Sequence, residues 1–154
     1  MKTEITSKDY KDIYEACNWN PSPFEKVLKK MGYDFGNLTI HEEFITLPDE
    51  KKIKEFVGVK EVYGDIHLNH NPLISLGNLE YVQGSLDVEN TPLRSLGNLK
   101  EVTGNIFATD SKLEDIGNLK RAYDEFFIVN TPLCRKDQNI SHLLSKKLRT
   151  YVHC

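Results

Sequence analysis

Apolar side chains recur along this chain at a spacing of 20 residues. Residues 73–92 (LISLGNLEYVQGSLDVENTP), 93–112 (LRSLGNLKEVTGNIFATDSK) and 113–132 (LEDIGNLKRAYDEFFIVNTP) align without gaps. Before them, 56–72 (FVGVKEVYGDIHLNHNP) keeps the second half of the unit and lacks its Gly-Asn pair. The columns are Phe56/Leu76/Leu96/Ile116, Val59/Leu79/Leu99/Leu119, Val62/Val82/Val102/Ala122 and Leu73/Leu93/Leu113/Leu133. Between them stand the pairs Ile66/Leu68, Leu86/Val88, Ile106/Ala108 and Phe126/Ile128, in the alternation of a strand. A unit this short cannot bury its apolar groups alone, so neighbouring units must stack.

The pattern predicts an α/β solenoid with one strand per unit at the paired positions, its strands joined in a parallel sheet. The LGNL stretch reads as a tight turn or a short 3₁₀ piece, because too few residues remain for a helical crossover. Gly77, Gly97 and Gly117, and half a unit later Gly64, Gly84 and Gly104, mark positions of positive φ or close backbone approach. Asn78, Asn98 and Asn118 are placed to cap turn backbone. His70, Asn90, Asp110 and Asn130 follow the strands, and Pro72, Pro92 and Pro132 fix the chain before a buried leucine.

The flanks carry helical patterns. Tyr10, Ile13, Tyr14 and Cys17 share one side of a segment over 7–17. Ser22 and Glu25 form a capping box, with Pro23 at the first helical position. The helix that follows puts Phe24, Val27, Leu28 and Met31 on one side and ends at Gly32. Residues 38–48 read as extended, a degenerate first repeat or two short strands. Pro48 and Asp49 open a short helix carrying Ile53 and Phe56. Ile140, Leu143, Leu144, Leu148, Tyr151 and Val152 place a helix over 140–152. These segments are read as caps on the two open ends, giving a cap over 1–55, a solenoid over 56–133 and a capping helix over 134–154.

The spacing of Leu79, Val82, Leu86, Val88, Asn90 and Leu93 resembles the leucine-rich-repeat pattern. The wording GNLxxVxGxLxVxxTxLxSL is similar to short repeats of bacterial and bacteriophage proteins. The resemblance covers residues 56–133. It implies a curved solenoid whose concave parallel sheet binds another protein, and it supplies no catalytic residues.

Composition narrows the picture further. With 20 basic and 23 acidic residues the net charge is -3, which disfavours a nucleic-acid binder. The polar start and the lack of a long apolar stretch point away from a membrane and toward the cytoplasm. Three cysteines, Cys17, Cys134 and Cys154, suggest no disulfide framework. No phosphate-binding glycine loop occurs. His67 and His70 with Asp65 fall short of a metal site, so neither metal nor cofactor is expected. A small hydrolase using Cys134 and His142 is a distant alternative to a chain with no enzymatic activity. The mixed charges of Lys60, Lys100, Lys120 and Arg121 with Glu61, Glu80 and Glu101 read as a solvated flank.

Three tracks flank the inward strand positions and should face a partner. They are Asp65/Ser85/Asn105/Glu125, His67/Asp87/Phe107/Phe127 and Asn69/Glu89/Thr109/Val129. The face is acidic at one end and aromatic at the other. Phe107, Phe127, Val129, Asp87, Glu89, His67 and Glu125 are the candidate binding residues. The acidic part favours a partner with Lys or Arg opposite. The expected role is a non-catalytic protein-interaction module, an inhibitor or adaptor. Two alternatives stand beside it: a self-associating structural protein (a homodimer), and cover of the aromatic residues by the C-terminal helix.

Overall fold

A computed structural model describes residues 1–47 and 51–154. The chain is a parallel β-solenoid of about 4 turns with a few helices. In chain order it runs α1 (Ser7–Ala16), α2 (Pro21–Lys30), β1 (Leu38–Ile40), β2 (Val59–Val62), β3 (Ile66–His67), β4 (Tyr81–Val82), β5 (Leu86–Asp87), β6 (Glu101–Val102), β7 (Ile106–Phe107), β8 (Arg121–Ala122), β9 (Phe126–Phe127), α3 (Pro132–Arg135), α4 (Ile140–Leu148) and β10 (Val152–His153).

Two five-stranded parallel sheets are present where the sequence suggested one. Sheet 1 has the order β1-β2-β4-β6-β8, and sheet 2 has the order β10-β9-β7-β5-β3. Sheet 2 is the expected ladder, in register Ile66↔Leu86, Leu86↔Ile106 and Ile106↔Phe126. Sheet 1 pairs Val62↔Val82, Val82↔Val102 and Val102↔Ala122. Most of its strands are two residues long, with only one inward position each, so no alternation betrays them. Every column of the repeat points inward, from Phe56 through Leu133, and is buried.

The corner between the two sheets is glycine at Gly64, Gly84 and Gly104, and Asp124 takes the place in the last coil. A Cβ on Gly104 would lie 2.6 Å from the carbonyl carbon of Gly84, and one on Gly84 would lie 2.6 Å from the oxygen of Gly64. Close stacking of backbone, rather than a shared positive φ, explains this column. After each sheet 2 strand, His70, Asn90, Asp110 and Asn130 adopt left-handed backbone with φ of 63°, 53°, 61° and 56°. Asn and Asp tolerate that region better than most side chains, which accounts for three of the four residues. The turn asparagines bond to the preceding coil: Asn78 Oδ1 accepts from Gly58 N–H, and Asn98 Nδ2 donates to the oxygen of Gly77.

The N-terminal helices join the same core. Tyr14 stacks on Phe24 at 4.2 Å, and Tyr10 meets Phe24, Phe44 and Phe56. Tyr10 Oη donates to the oxygen of Val57 and accepts from its N–H, while Tyr14 Oη donates to the oxygen of Glu55. These bonds satisfy buried phenols that would otherwise cost about 1–3 kcal/mol each. Burial drives the Tyr10 hydroxyl well above its ordinary pKa and raises that of Tyr14. α2 begins earlier than expected. Pro21 opens it behind Asn20, whose side chain makes no cap bond, so the Ser22/Glu25 capping box is not the start. Phe24 and Leu28 are buried, whereas Val27 and Met31 are exposed.

Residues 38–47 do supply an incomplete first turn. β1 extends sheet 1, and Phe44 bridges Ile66 in sheet 2. The helix start at Pro48 and Asp49 lies outside the described residues. Ile53 and Phe56 are fully buried without helix around them, and Glu55 bridges Ser75 of the next turn.

The C-terminal helix also differs from expectation. α4 stops at Leu148, Arg149 turns left-handed with φ 57°, and the chain re-enters sheet 2 as β10. Val152 is therefore buried by strand pairing with Phe126, and Tyr151 is exposed. β-branched Val152 suits this extended position better than a helix end.

Cys134 and Cys154 form a disulfide, with Cα atoms 5.6 Å apart and a sequence separation of 20. The expectation of no disulfide is corrected. The pairing was hidden because the spacing equals one repeat, and β10 returns the chain end to the last coil. Cys17 is free. Among the described residues no helix is long and apolar enough to cross a membrane.

Candidate protein-binding face

The outer side of sheet 2 assembles most of the anticipated site. Parallel pairing with a 20-residue offset puts His67 beside Asp87, Asp87 beside Phe107, and Phe107 beside Phe127. Their neighbours Ile66, Leu86, Ile106 and Phe126 are fully buried, and the outward residues are only partly so. A single column thus runs across four coils. Glu89 and Val129 lie two residues further along the chain, in the turns that follow β5 and β9, and are not buried.

The two phenylalanine rings lie parallel, 5.4 Å apart with 6° between their planes. His153 of β10 continues the stack, 4.6 Å from Phe127 at 12°. Its Nε2 lies 3.6 Å from Glu125 Oε1, too far for a hydrogen bond but close enough for an ion pair when the imidazole is protonated. The aromatic patch is therefore covered at one end by the C-terminal strand, not by the C-terminal helix. Phe107 and Phe127 are half-buried rather than open to solvent, and Val129 is exposed. His153 does not stand out in the sequence, because the apolar stripe over 140–152 hides the strand that carries it.

The first anticipated track has another use. Asp65 Oδ1 accepts from Ser85 N–H, Ser85 Oγ from Asn105 N–H, and Asn105 Oδ1 from Glu125 N–H, at 2.8, 3.0 and 3.0 Å. Each side chain thereby tethers the next coil. Only Glu125, at the end of this ladder, turns to the column through His153.

No protein-family model, curated protein or solved structure matches this chain. What the face can do is carried by its own geometry.

At the acidic end, His67 Nε2 is 2.5 Å from Glu43 Oε1, and Glu43, Asp65 and His67 bring their ligand atoms within 4.8 Å of one another. Glu43 arrives through the Phe44–Ile66 bridge, a contact across 22 positions that spacing in the sequence does not display. Glu43 and Asp65 are exposed, and the His67–Glu43 contact already satisfies the pair. Further along, Asp87 Oδ1 accepts from Glu89 N–H at 3.0 Å. Desolvation first, then the nearby Asp87 and Asp110, raise the pKa of Glu89, while His70 opposes them. Negative charge is thus crowded beside Phe107.

The flank on sheet 1 has mixed charges that pair with each other. Lys100 Nζ is 2.6 Å from Glu80 Oε1, Lys60 is 3.9 Å away, and the Lys100 hydrogen bond lowers the pKa of Glu80. An open groove of about 570 Å³ lies by the last coil, lined by Tyr123, Asp124, Glu125, Arg149 and Tyr151 among others.

Proposed function

We propose that this protein is a leucine-rich-repeat module of the bacterial or bacteriophage type that binds another protein through the outer face of sheet 2, acting as an inhibitor or adaptor without catalysis of its own. The observation that carries the reading is the column His67–Asp87–Phe107–Phe127. It joins a flat aromatic patch to the Asp87 and Glu89 carboxylates on a face whose backbone is fixed by the coil ladder. Aromatic anchors on a rigid scaffold, rimmed by charge, are the usual composition of an interface centre. On this reading α1, α2 and α4 are caps that keep the solenoid ends from stacking further. Cytoplasmic residence belongs to the same proposal, and it predicts that Cys134 and Cys154 are joined only under oxidation.

Affinity capture from bacterial lysate tests the binding claim, with Phe107→Ala/Phe127→Ala as the comparison. The double variant should retain less than about a tenth of the captured partner, given that central aromatic anchors dominate binding energy. Asp87→Lys, which alters no core position, should reduce capture independently by charge reversal. Equal capture by wild type and both folded variants would refute binding through this face.

A further inference from the structure

The outward column of sheet 2 has two unlike ends around one aromatic stack. At the β10 end, an imidazole lies flat against Phe127 with Glu125 beside it. A planar group stacked on a ring, with a carboxylate of the same coil beside it, therefore already exists within the molecule. At the other end, the next member after Phe107 is Asp87, on the adjacent hydrogen-bonded strand. Aspartate has no ring, so the stack stops. Among the described residues, no other ring or cation stacks on Phe107 besides Phe127. The order from β10 inward is thus imidazole, ring, ring, then the Asp87 carboxylate, with His67 beyond it.

The chemistry of that end selects a particular group. The bond from Glu89 N–H occupies one acceptor site of the Asp87 carboxylate, which has several. Glu89 adds a second carboxyl group in the next outward position, under-solvated and close to Asp110. His70 offsets part of this charge, and a further cation beside Asp87 would offset more. An ammonium could pair with the carboxylates, but a guanidinium could do so and also lie flat on the ring. It is weakly hydrated, so it loses less on leaving water.

We propose that the side of Phe107 facing Asp87 is the seat of an arginine side chain from the protein partner, stacked on the ring and paired with the Asp87 carboxylate. The inference rests on the protein-binding reading above and gives its partner a defining residue. In effect the arginine completes at one end of the stack what His153 completes at the other.

Fluorescence anisotropy on the intact protein tests this, using labelled nona-arginine and nona-lysine peptides as probes. The two carry equal charge, so simple attraction to an acidic surface binds them alike. The arginine peptide should bind about fivefold more tightly, the scale of a cation–π contact at a partly exposed site. Phe107→Leu should bring the two affinities together, and Phe107→Tyr should keep them apart. Asp87→Asn, which retains an acceptor for Glu89 N–H, should weaken the arginine peptide by about tenfold. Glu15→Gln, on α1, should change neither. Equal affinities in the wild type, a preference that survives Phe107→Leu, or no binding of either peptide would overturn the seat. If lysate capture depends on Phe107 and Phe127 while the arginine preference is absent, the seat is wrong and the binding face stands. If capture is also unaffected, both fall.

Discussion

Phe126→Ala should destabilise the protein by about 3–5 kcal/mol, whereas Phe127→Ala, one residue later, should cost less than about 2 kcal/mol. The two rings are adjacent in β9 and leave the strand on opposite sides. Phe126 is fully buried, in line with Ile66, Leu86 and Ile106, and belongs to the same core as Leu144, Leu148 and Val152. Its backbone N–H donates to the oxygen of Tyr151, and it pairs with Val152 of β10. Truncating it leaves a cavity where the last coil meets the C-terminal strand. Phe127 loses stacking with Phe107 and His153 but leaves no enclosed void. For a domain of this length the Phe126 change lowers Tm by roughly 6–20 °C. Thermal unfolding of the two variants followed by circular dichroism checks the difference. Equal losses would mean that the inward and outward assignments of sheet 2 are wrong, since a one-residue slip exchanges them.

Gly104→Ala should cost about 1–3 kcal/mol, at the upper part of that range, because its Cβ enters occupied backbone space. That atom would lie 2.6 Å from the Gly84 carbonyl carbon and 2.7 Å from its oxygen. The hydrogen bond from Gly104 N–H to the same oxygen, at 2.8 Å, holds the two coils at this separation. Relief would require parting the two coils at this corner. Gly97→Ala supplies the contrast within the same repeat. Its φ is +57° and a Cβ there meets nothing within 4 Å, so only the left-handed backbone opposes the change, at about 1 kcal/mol. Urea unfolding midpoints should place Gly104→Ala below Gly97→Ala, and both below wild type. The reverse order would show that torsional strain, not coil-to-coil approach, governs the glycines.

These two variants mark where the sequence was informative. The 20-residue columns identified the buried apolar side chains of the solenoid, because a stacked repeat must place equivalent residues at equivalent depth, but not the buried polar column Asn71/Thr91/Ser111/Thr131, three of whose side chains donate to the backbone oxygen three residues earlier. They also located the column that carries Phe107 and Phe127. They could not reveal sheet 1, most of whose strands offer one inward residue apiece. Nor could they distinguish a helix from a helix-turn-strand at 140–153, since the apolar residues of α4 and β10 together mimic a helical stripe. Arg149 in left-handed backbone is the local event that separates the two, and nothing in its side chain announces it.

The site was legible in proportion to its periodicity. Asp87, Phe107 and Phe127 share one phase of the repeat, so they were found together. Glu43 and His153 come from the incomplete turns at either end, outside the regular spacing. Asp65 and Ser85 stand at outward positions yet serve the next coil, because a side-chain oxygen beside the parallel ladder finds a backbone N–H before it finds a partner. Alternation identifies which side of a sheet a residue occupies, but not which bonds it then makes.

The most direct test is an NMR footprint of the captured partner on the isotope-labelled protein. Chemical-shift changes should centre on His67, Asp87, Glu89, Phe107 and Phe127, with sheet 1 and α2 unmoved. Changes confined to Tyr63, Tyr81 and Tyr123 on the sheet 1 side, with the Phe107–Phe127 column silent, would contradict binding through the outer face of sheet 2.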